Sequence, residues 1–197
     1  MLLNRAETLL MNNPVRASIQ RHFEAARLLK LGGPLPGGTA LEIGCGQGVG
    51  AELILDVFGA EQVDAIDLDP AMVERARRRL ASRGDRVRVR TGDATKLDAP
   101  DASYDAVFDF GIIHHIPNWR DALGECHRVL VPGGRLYAEE VFERFLSLSV
   151  TSRLLDHPRQ DRFDCECFRE GLRAAGFEVR ASRDTWGLFG FFVADKG

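Results

Sequence analysis

The chain contains no apolar run of the roughly 20 residues that a membrane-spanning helix needs. Its opening, MLLNRAETLLMNNPVR, lacks the layout of a secretory leader, because Arg5 and Glu7 interrupt the apolar residues. A cytoplasmic location is the resulting expectation. Cysteine is scarce, with four residues (Cys45, Cys126, Cys165, Cys167) and no C-x-x-C pair, which argues against a zinc site or redox dithiol. On a helix over 164–175, the thiols of Cys165 and Cys167 would point about 200° apart, so free structural cysteines and no metal are expected. Basic charge is not in excess either. A net charge of −3 weighs against a broad nucleic-acid footprint. Repeats and low-complexity tracts are absent, and 197 residues suit one domain with a substantial core.

What the chain does have is alternation. Leu2, Leu3, Ala6, Leu9 and Leu10 share a helical face over 2–10, and Val15, Ile19, Phe23 and Ala26 repeat that spacing after Pro14. These apolar helices, 2–10 and 15–29, would cover a cleft or form a homodimer contact. GGPLPGG at 32–38 breaks the chain. Short apolar runs at 40–43, 62–66, 87–91 and 105–110 then read as strands. The helix between the first two carries Leu53, Ile54, Val57 and Phe58 and stops at Gly59. The next takes Asp69 as N-cap and Pro70 at its first position, ends before Gly84, and turns Met72, Val73, Ala76 and Leu80 inward. Arg75, Arg77, Arg78 and Arg79 fall mainly on its solvated face. A helix over 118–130 buries Ala122, Leu123, Cys126 and Leu130 and stops at Pro132-Gly133-Gly134, before the strand RLYAEEV. The helix at 164–175 ends at Gly176, and strands at 177–182 and 188–195 close the chain as an antiparallel pair around Thr185, Trp186 and Gly187. Strands alternating with helices predict an α/β fold, a largely parallel sheet covered on both faces.

The main motif is LEIGCGQGVG, residues 41–50, at the turn from the first strand into its helix. Gly44, Gly46 and Gly48 let the backbone turn sharply and approach a ligand closely. Such a turn lies at the carboxyl ends of the strands, where ligands bind in doubly wound sheets. The dinucleotide fingerprint G-x-G-x-x-G would need glycine at 49, where Val49 stands, and the phosphate-loop pattern fails outright. Asp67 in AIDLDP tips the second strand, where an acid can accept both hydroxyls of a ribose. Asp93 in TGDA ends the third strand and can accept from an adenine amino group.

LEIGCGQG, AIDLDPAMVERAR, GDATKL, SYDAVFDFGIIHHI and HRVLVPGGRLYAEE together resemble the ordered motifs of the class I, seven-stranded Rossmann-like S-adenosylmethionine-dependent methyltransferases. The similarity runs from about residue 40 to 140 and is greatest to the small-molecule and quinone methyltransferases. It implies strand order 3-2-1-4-5-7-6 with strand 7 antiparallel, in one methyltransferase domain. Its parts would be a helical extension (1–38), a cofactor core (39–140), a substrate-cleft cover (141–163) and a closing helix with strands (164–197). It also implies that Glu42 and the loop Gly44, Cys45, Gly46, Gln47 and Gly48 surround the methionyl part. On the same resemblance, Asp67 holds the ribose, Leu68 flanks the adenine, and Asp93 with Ala94 contacts its edge. Asp109 and Phe110 lie near the methionyl group and the sulfonium.

A sulfonium is already an activated methyl donor, so the protein has mainly to align an acceptor for in-line displacement and exclude water. A base is needed only where the acceptor keeps its proton. The candidates are His114 and His115 after the fourth strand, and Glu139 and Glu140 at the end of the fifth, where alternation points one acid toward the cleft. The nucleic-acid amino-methyltransferase tetrapeptide Asn/Asp-Pro-Pro-Tyr/Phe is missing, which disfavours base methylation. In 141–163, Phe142, Phe145, Leu146, Leu148, Leu154 and Leu155 favour a small apolar or aromatic acceptor. The alternative is a regulatory, non-catalytic S-adenosylmethionine-binding protein of the same fold. The residues fix neither the acceptor nor the oligomeric state.

Overall fold

A computed structural model describes residues 14–147 and 161–197. The predicted helix 2–10, the side chain of Val15, and Leu148, Leu154 and Leu155 of the expected cleft cover lie outside that description. Seven strands form one sheet: β1 Thr39–Ile43, β2 Gln62–Asp67, β3 Val87–Thr91, β4 Tyr104–Phe110, β5 Leu130–Val141, β6 Phe177–Thr185 and β7 Phe189–Lys196. Their order is β3-β2-β1-β4-β5-β7-β6. Strands β1 to β5 pair in parallel, and β7 runs antiparallel to both β5 and β6, as the resemblance implies.

Helices cover both faces. α1 comprises Pro14–Ile19, the wide-turned Gln20–Ala25 and Ala26–Gly32; α2 runs Val49–Leu53 into the wide turn Ile54–Phe58. α3 is Pro70–Leu80, α4 Trp119–Val129, α5 Glu143–Leu146 and α6 Cys165–Ala174. The sheet's alternation sorts two cores. Ala40, Ala65, Phe108, Tyr137 and Val193 pack beneath α1, α2 and α3, whereas Leu41, Ile43, Val107, Leu136 and Phe192 pack beneath α4 and α6. With both faces dry, the inner strands read as apolar runs rather than as alternating ones.

Local chemistry sets the helix ends. Asp69 caps α3 by accepting from the Ala71 N–H at 2.8 Å, with Pro70 at the first helical position, and Met72, Val73, Ala76 and Leu80 are its buried residues. Asp164 caps α6 by accepting from Cys167 N–H. Three boundaries differ from expectation. α3 ends at Leu80 and continues as a tight Ala81–Arg86 turn, in which Gly84 is non-helical. Leu130 is extended, so β5 starts there, and Pro132-Gly133-Gly134 forms a bulge within the strand rather than a stop before it. β6 reaches Thr185, which shortens its connection to β7.

The buried face of α1 is also different. Ile19 and Phe23 are 46% and 45% exposed and Ala26 is exposed, while Glu24, Ala25, Leu28 and Gly32 face inward. Two causes are visible. The wide turn over Gln20–Ala25 rotates the later residues against the earlier ones. Gly32, where a Cβ would overlap the Tyr137 ring, fixes which side meets the sheet. Of the expected cleft cover, Phe142 and Leu146 are core residues, Phe142 packing edge-on against Phe163 and Phe192.

Candidate functional site

The loop between β1 and α2 turns through three left-handed glycines, Gly44 (φ 67°), Gly46 (φ 51°) and Gly48 (φ 88°). It is tied to the neighbouring strand: Cys45 N–H donates to the Ile66 carbonyl at 2.8 Å, and Gly46 N–H to Oδ2 of Asp67 at 2.8 Å. At Gly48 even a methyl group would press on Ala76 and Leu80 of α3, so this glycine is required by packing as well as by φ.

Glu42 points from β1 into the space under this loop. It is buried, and its Oε2 receives no hydrogen bond. A Cβ at Gly50 would overlap Oε1 of Glu42 and meet the Phe110 ring, so the carboxylate lies in a slot that only glycine leaves open. Burial raises the Glu42 carboxyl well above its ordinary range, and the nearby Asp67 and Asp109 add to that. Asp67 is raised too, by burial, with the Asp69 and Gly46 N–H bonds opposing. Two desolvated acids on one wall favour a cationic occupant.

The cleft these groups border holds about 250 Å3. Beyond the loop it is lined by Asp67, Leu68 and Asp69 after β2, by Gly92 to Thr95 after β3, and by Phe110 to Ile112 and His115 to Asn118 after β4. Asp93 is oriented by Thr95, whose N–H and hydroxyl both donate to its Oδ1 at 2.8 Å. Ala94 is buried beside it, and Leu68 is 46% exposed along the rim. Arg16, Ala17 and Gln20 of α1 close the far side. No motif pointed to these three; the helical spacing after Pro14 was their one signal. Among the described residues, no group of three or more His, Cys, Asp or Glu side chains could hold a metal ion.

The remaining expected residues divide between the two faces of the sheet. Phe110 and Glu139 are partners across β4 and β5 and so share the cleft's face, whereas Asp109 pairs with Ala138, whose face also carries Glu140. Asp109, His114, Glu139 and Glu140 are not in the lining. Asp109 is fully buried and its Oδ1 accepts from Ile112 N–H at 2.9 Å. Its Oδ2, which has no N–H or O–H donor, faces Glu140. Glu140 accepts from Ile113 N–H at 2.7 Å and bonds Nδ1 of His114 at 2.6 Å. Burial pushes Glu140 up to about 7, although the Asp109 contact and three backbone N–H groups pull it down. Asp109 rises by burial and by the charge of Glu140. Both carboxyls of the pair therefore favour their protonated forms. Of the two histidines, His115 borders the cleft and His114 is turned to Glu140.

Glu139 is buried one layer behind Gly111, with Oε2 unbonded and about 3.0 Å from where a Cβ of Gly111 would stand. Burial raises its carboxyl well above the ordinary range, Glu24 adds to this, and Arg16 opposes it. Arg16 bridges both oxygens of Glu24 at 2.7 Å.

Comparison with known proteins matches residues 40–134 to a methyltransferase domain family. The demethylmenaquinone methyltransferase of Thermus thermophilus is 34% identical over 162 residues, covering 70% of this chain and 73% of that protein. The chain belongs to the class I S-adenosylmethionine-dependent methyltransferases. A Mycolicibacterium smegmatis protein described as "Probable S-adenosylmethionine-dependent methyltransferase" is 37% identical over 162 residues, 78% of this chain. The chain spans just over half of that relative's length, 56%. A solved structure from Pyrococcus horikoshii matches with a TM-score of 0.76 at 21% identity, over 95% of this chain and 93% of that one, a likeness of fold. The family's cofactor is S-adenosylmethionine.

Proposed function

We propose that this chain is one methyltransferase domain that binds S-adenosylmethionine and transfers its methyl group to a small apolar or aromatic acceptor. The single observation carrying the reading is the desolvated wall made by Glu42, Asp67 and the Gly44–Gly48 loop. An orphaned buried carboxylate oxygen and a second raised acid stand where a cation with an attached diol would satisfy both. On this reading Glu42, Cys45 and Gln47 hold the methionyl part, and Asp67 takes the ribose hydroxyls. Leu68, Asp93 and Ala94 hold the adenine.

S-adenosylmethionine supplies an electrophilic methyl group on a sulfonium. The rest falls to the chain. Phe110, Ile112 and Ile116 present an apolar wall that keeps water out. His115 on the cleft side is the nearer histidine to receive an acceptor's proton. Glu139 lies behind Gly111, and Arg16, paired with Glu24, lines the cleft; the carboxylates there suit an acceptor that donates a hydrogen bond. An apolar acceptor agrees with the names of the demethylmenaquinone and 27-O-demethylrifamycin SV methyltransferases among the relatives. A non-catalytic binder would need the same pocket, so the test is turnover. Incubation with methyl-labelled S-adenosylmethionine and a panel of quinols, phenols and amines should give acceptor-dependent label transfer. Cofactor binding without transfer to any acceptor would favour the regulatory alternative.

A further inference from the structure

The outward face of α1 and the tip of the β6–β7 hairpin form one continuous surface. Phe23 packs edge-on against Phe191 with centroids 5.9 Å apart, and Arg27 lies 4.4 Å over the Phe23 ring and 5.2 Å from that of Phe191. Arg27 also donates to Oγ1 of Thr185 at 3.3 Å, and the next residue is Trp186, 82% exposed. On the far side of the hairpin Arg144 donates to the Trp186 carbonyl at 3.0 Å. Ile19 extends the apolar strip along α1, where His22 and Lys30 are also exposed.

The charge is one-sided. The only acid of α1, Glu24, is buried and held by Arg16, so the outer face of that helix carries cations alone. Around the hairpin, exposed Arg144 and Arg183 accompany exposed Glu143 and Asp184, and Asp184 is engaged with the Gly187 N–H at 2.6 Å. In a chain of net charge −3, the cations of α1 and the hairpin thus lie beside three large exposed apolar side chains, Ile19, Phe23 and Trp186. An indole at a projecting tip, apolar residues on one helical line and long basic side chains between them suit the boundary of an anionic bilayer. The indole and phenyl groups enter the headgroup region while the guanidinium groups meet lipid phosphates.

We propose that this surface docks the protein on anionic phospholipid membranes. The cleft is close by: Ala17 and Gln20, which line it, flank Ile19 on the same helix. A docked molecule would receive an apolar acceptor from the bilayer without passing it through water. Docking itself needs neither cofactor nor acceptor and is tested without them.

The chain has two tryptophans, and Trp119 is 1% exposed, so a change in emission on adding vesicles reports Trp186. Sedimentation and fluorescence with phosphatidylcholine vesicles, pure or mixed with phosphatidylglycerol, form the experiment. Binding and a blue shift are expected with the mixed vesicles only, weakening as salt shortens the screening length. Reversing one cation, as in Arg27→Glu or Lys30→Glu, should weaken partition at least about fivefold. Trp186→Ala and Phe23→Ser, both at exposed positions, should weaken it while leaving circular dichroism unchanged. Failure to bind mixed vesicles would overturn the proposal. So would binding that these four variants leave intact, or a Trp186 shift caused by self-association at high protein concentration without lipid.

Discussion

Gly46 and Asp67 are joined across the wall of the cleft, the Gly46 N–H donating to Oδ2 of Asp67 at 2.8 Å while Asp69 N–H occupies Oδ1. The acid proposed to hold the ribose therefore also holds the glycine loop. Asp67→Ala should remove both functions, and Asp67→Asn should weaken them, since an amide presents one acceptor oxygen to two N–H donors. Loss of a charged hydrogen bond costs about 1.5–3 kcal/mol, or about 10- to 150-fold in cofactor affinity by titration calorimetry. Unchanged affinity in Asp67→Ala would remove Asp67 from the binding wall.

Gly50 and Glu42 give a steric counterpart. A methyl group at Gly50 would overlap Oε1 of Glu42 and crowd Phe110. Gly50→Ala should destabilise by about 1–3 kcal/mol in urea unfolding and abolish cofactor binding, because Glu42 must leave its slot. A normally stable Gly50→Ala protein with full affinity would contradict that placement.

The Asp109–Glu140 pair predicts a pH dependence. Both carboxyls hold protons more tightly folded than unfolded, chiefly through burial, so folding takes up protons. Their contribution to stability is complete below the ordinary carboxylate values, 3.8 for Asp109 and 4.5 for Glu140, and is lost as pH rises through the folded values, about 7 for Glu140. Asp109→Asn keeps the acceptor for Ile112 N–H and a donor toward Glu140 without needing the proton. Its stability should match wild type at about pH 5 and fall less by about pH 8. Asp109→Ala leaves Ile112 N–H unpaired and should cost about 1–3 kcal/mol throughout. Parallel pH–stability curves for wild type and Asp109→Asn would contradict a raised Asp109 carboxyl.

The two histidines should separate by phenotype. His115→Ala, at the cleft, should lower turnover with an identified acceptor while leaving cofactor affinity within about twofold. His114→Ala, which strips Glu140 of a partner at 2.6 Å, should instead lower stability. Equal turnover in both variants and wild type would remove histidine from the chemistry.

The fold was legible because its punctuation is chemical: the glycine loop, Asp69-Pro70, Gly59 and Gly176 mark boundaries that tertiary packing leaves in place. The cofactor-side positions were legible for the same reason, being strand-end residues fixed by turns. The acceptor side was not. β4 is buried on both faces from Ala106 onward, so hydropathy could not tell that Asp109 turns away and Phe110 toward the cleft. Alternation likewise separated Glu139 from Glu140 without saying which shared the cleft's face. In α1 the wide turn moved the buried line from Ile19, Phe23 and Ala26 to Glu24, Ala25 and Leu28. Regular helical spacing cannot anticipate such a shift.

Thermal unfolding with and without S-adenosylmethionine or S-adenosylhomocysteine, in wild type and Asp67→Ala, tests the cleft most directly. Ligand at a hundred times its dissociation constant adds about 2.7 kcal/mol, a rise of roughly 5–11 °C for a chain of this size. That rise is expected in wild type and should be lost or reduced in Asp67→Ala. No shift in well-folded wild type at saturating concentrations of either ligand would contradict the assignment of the cleft to this cofactor.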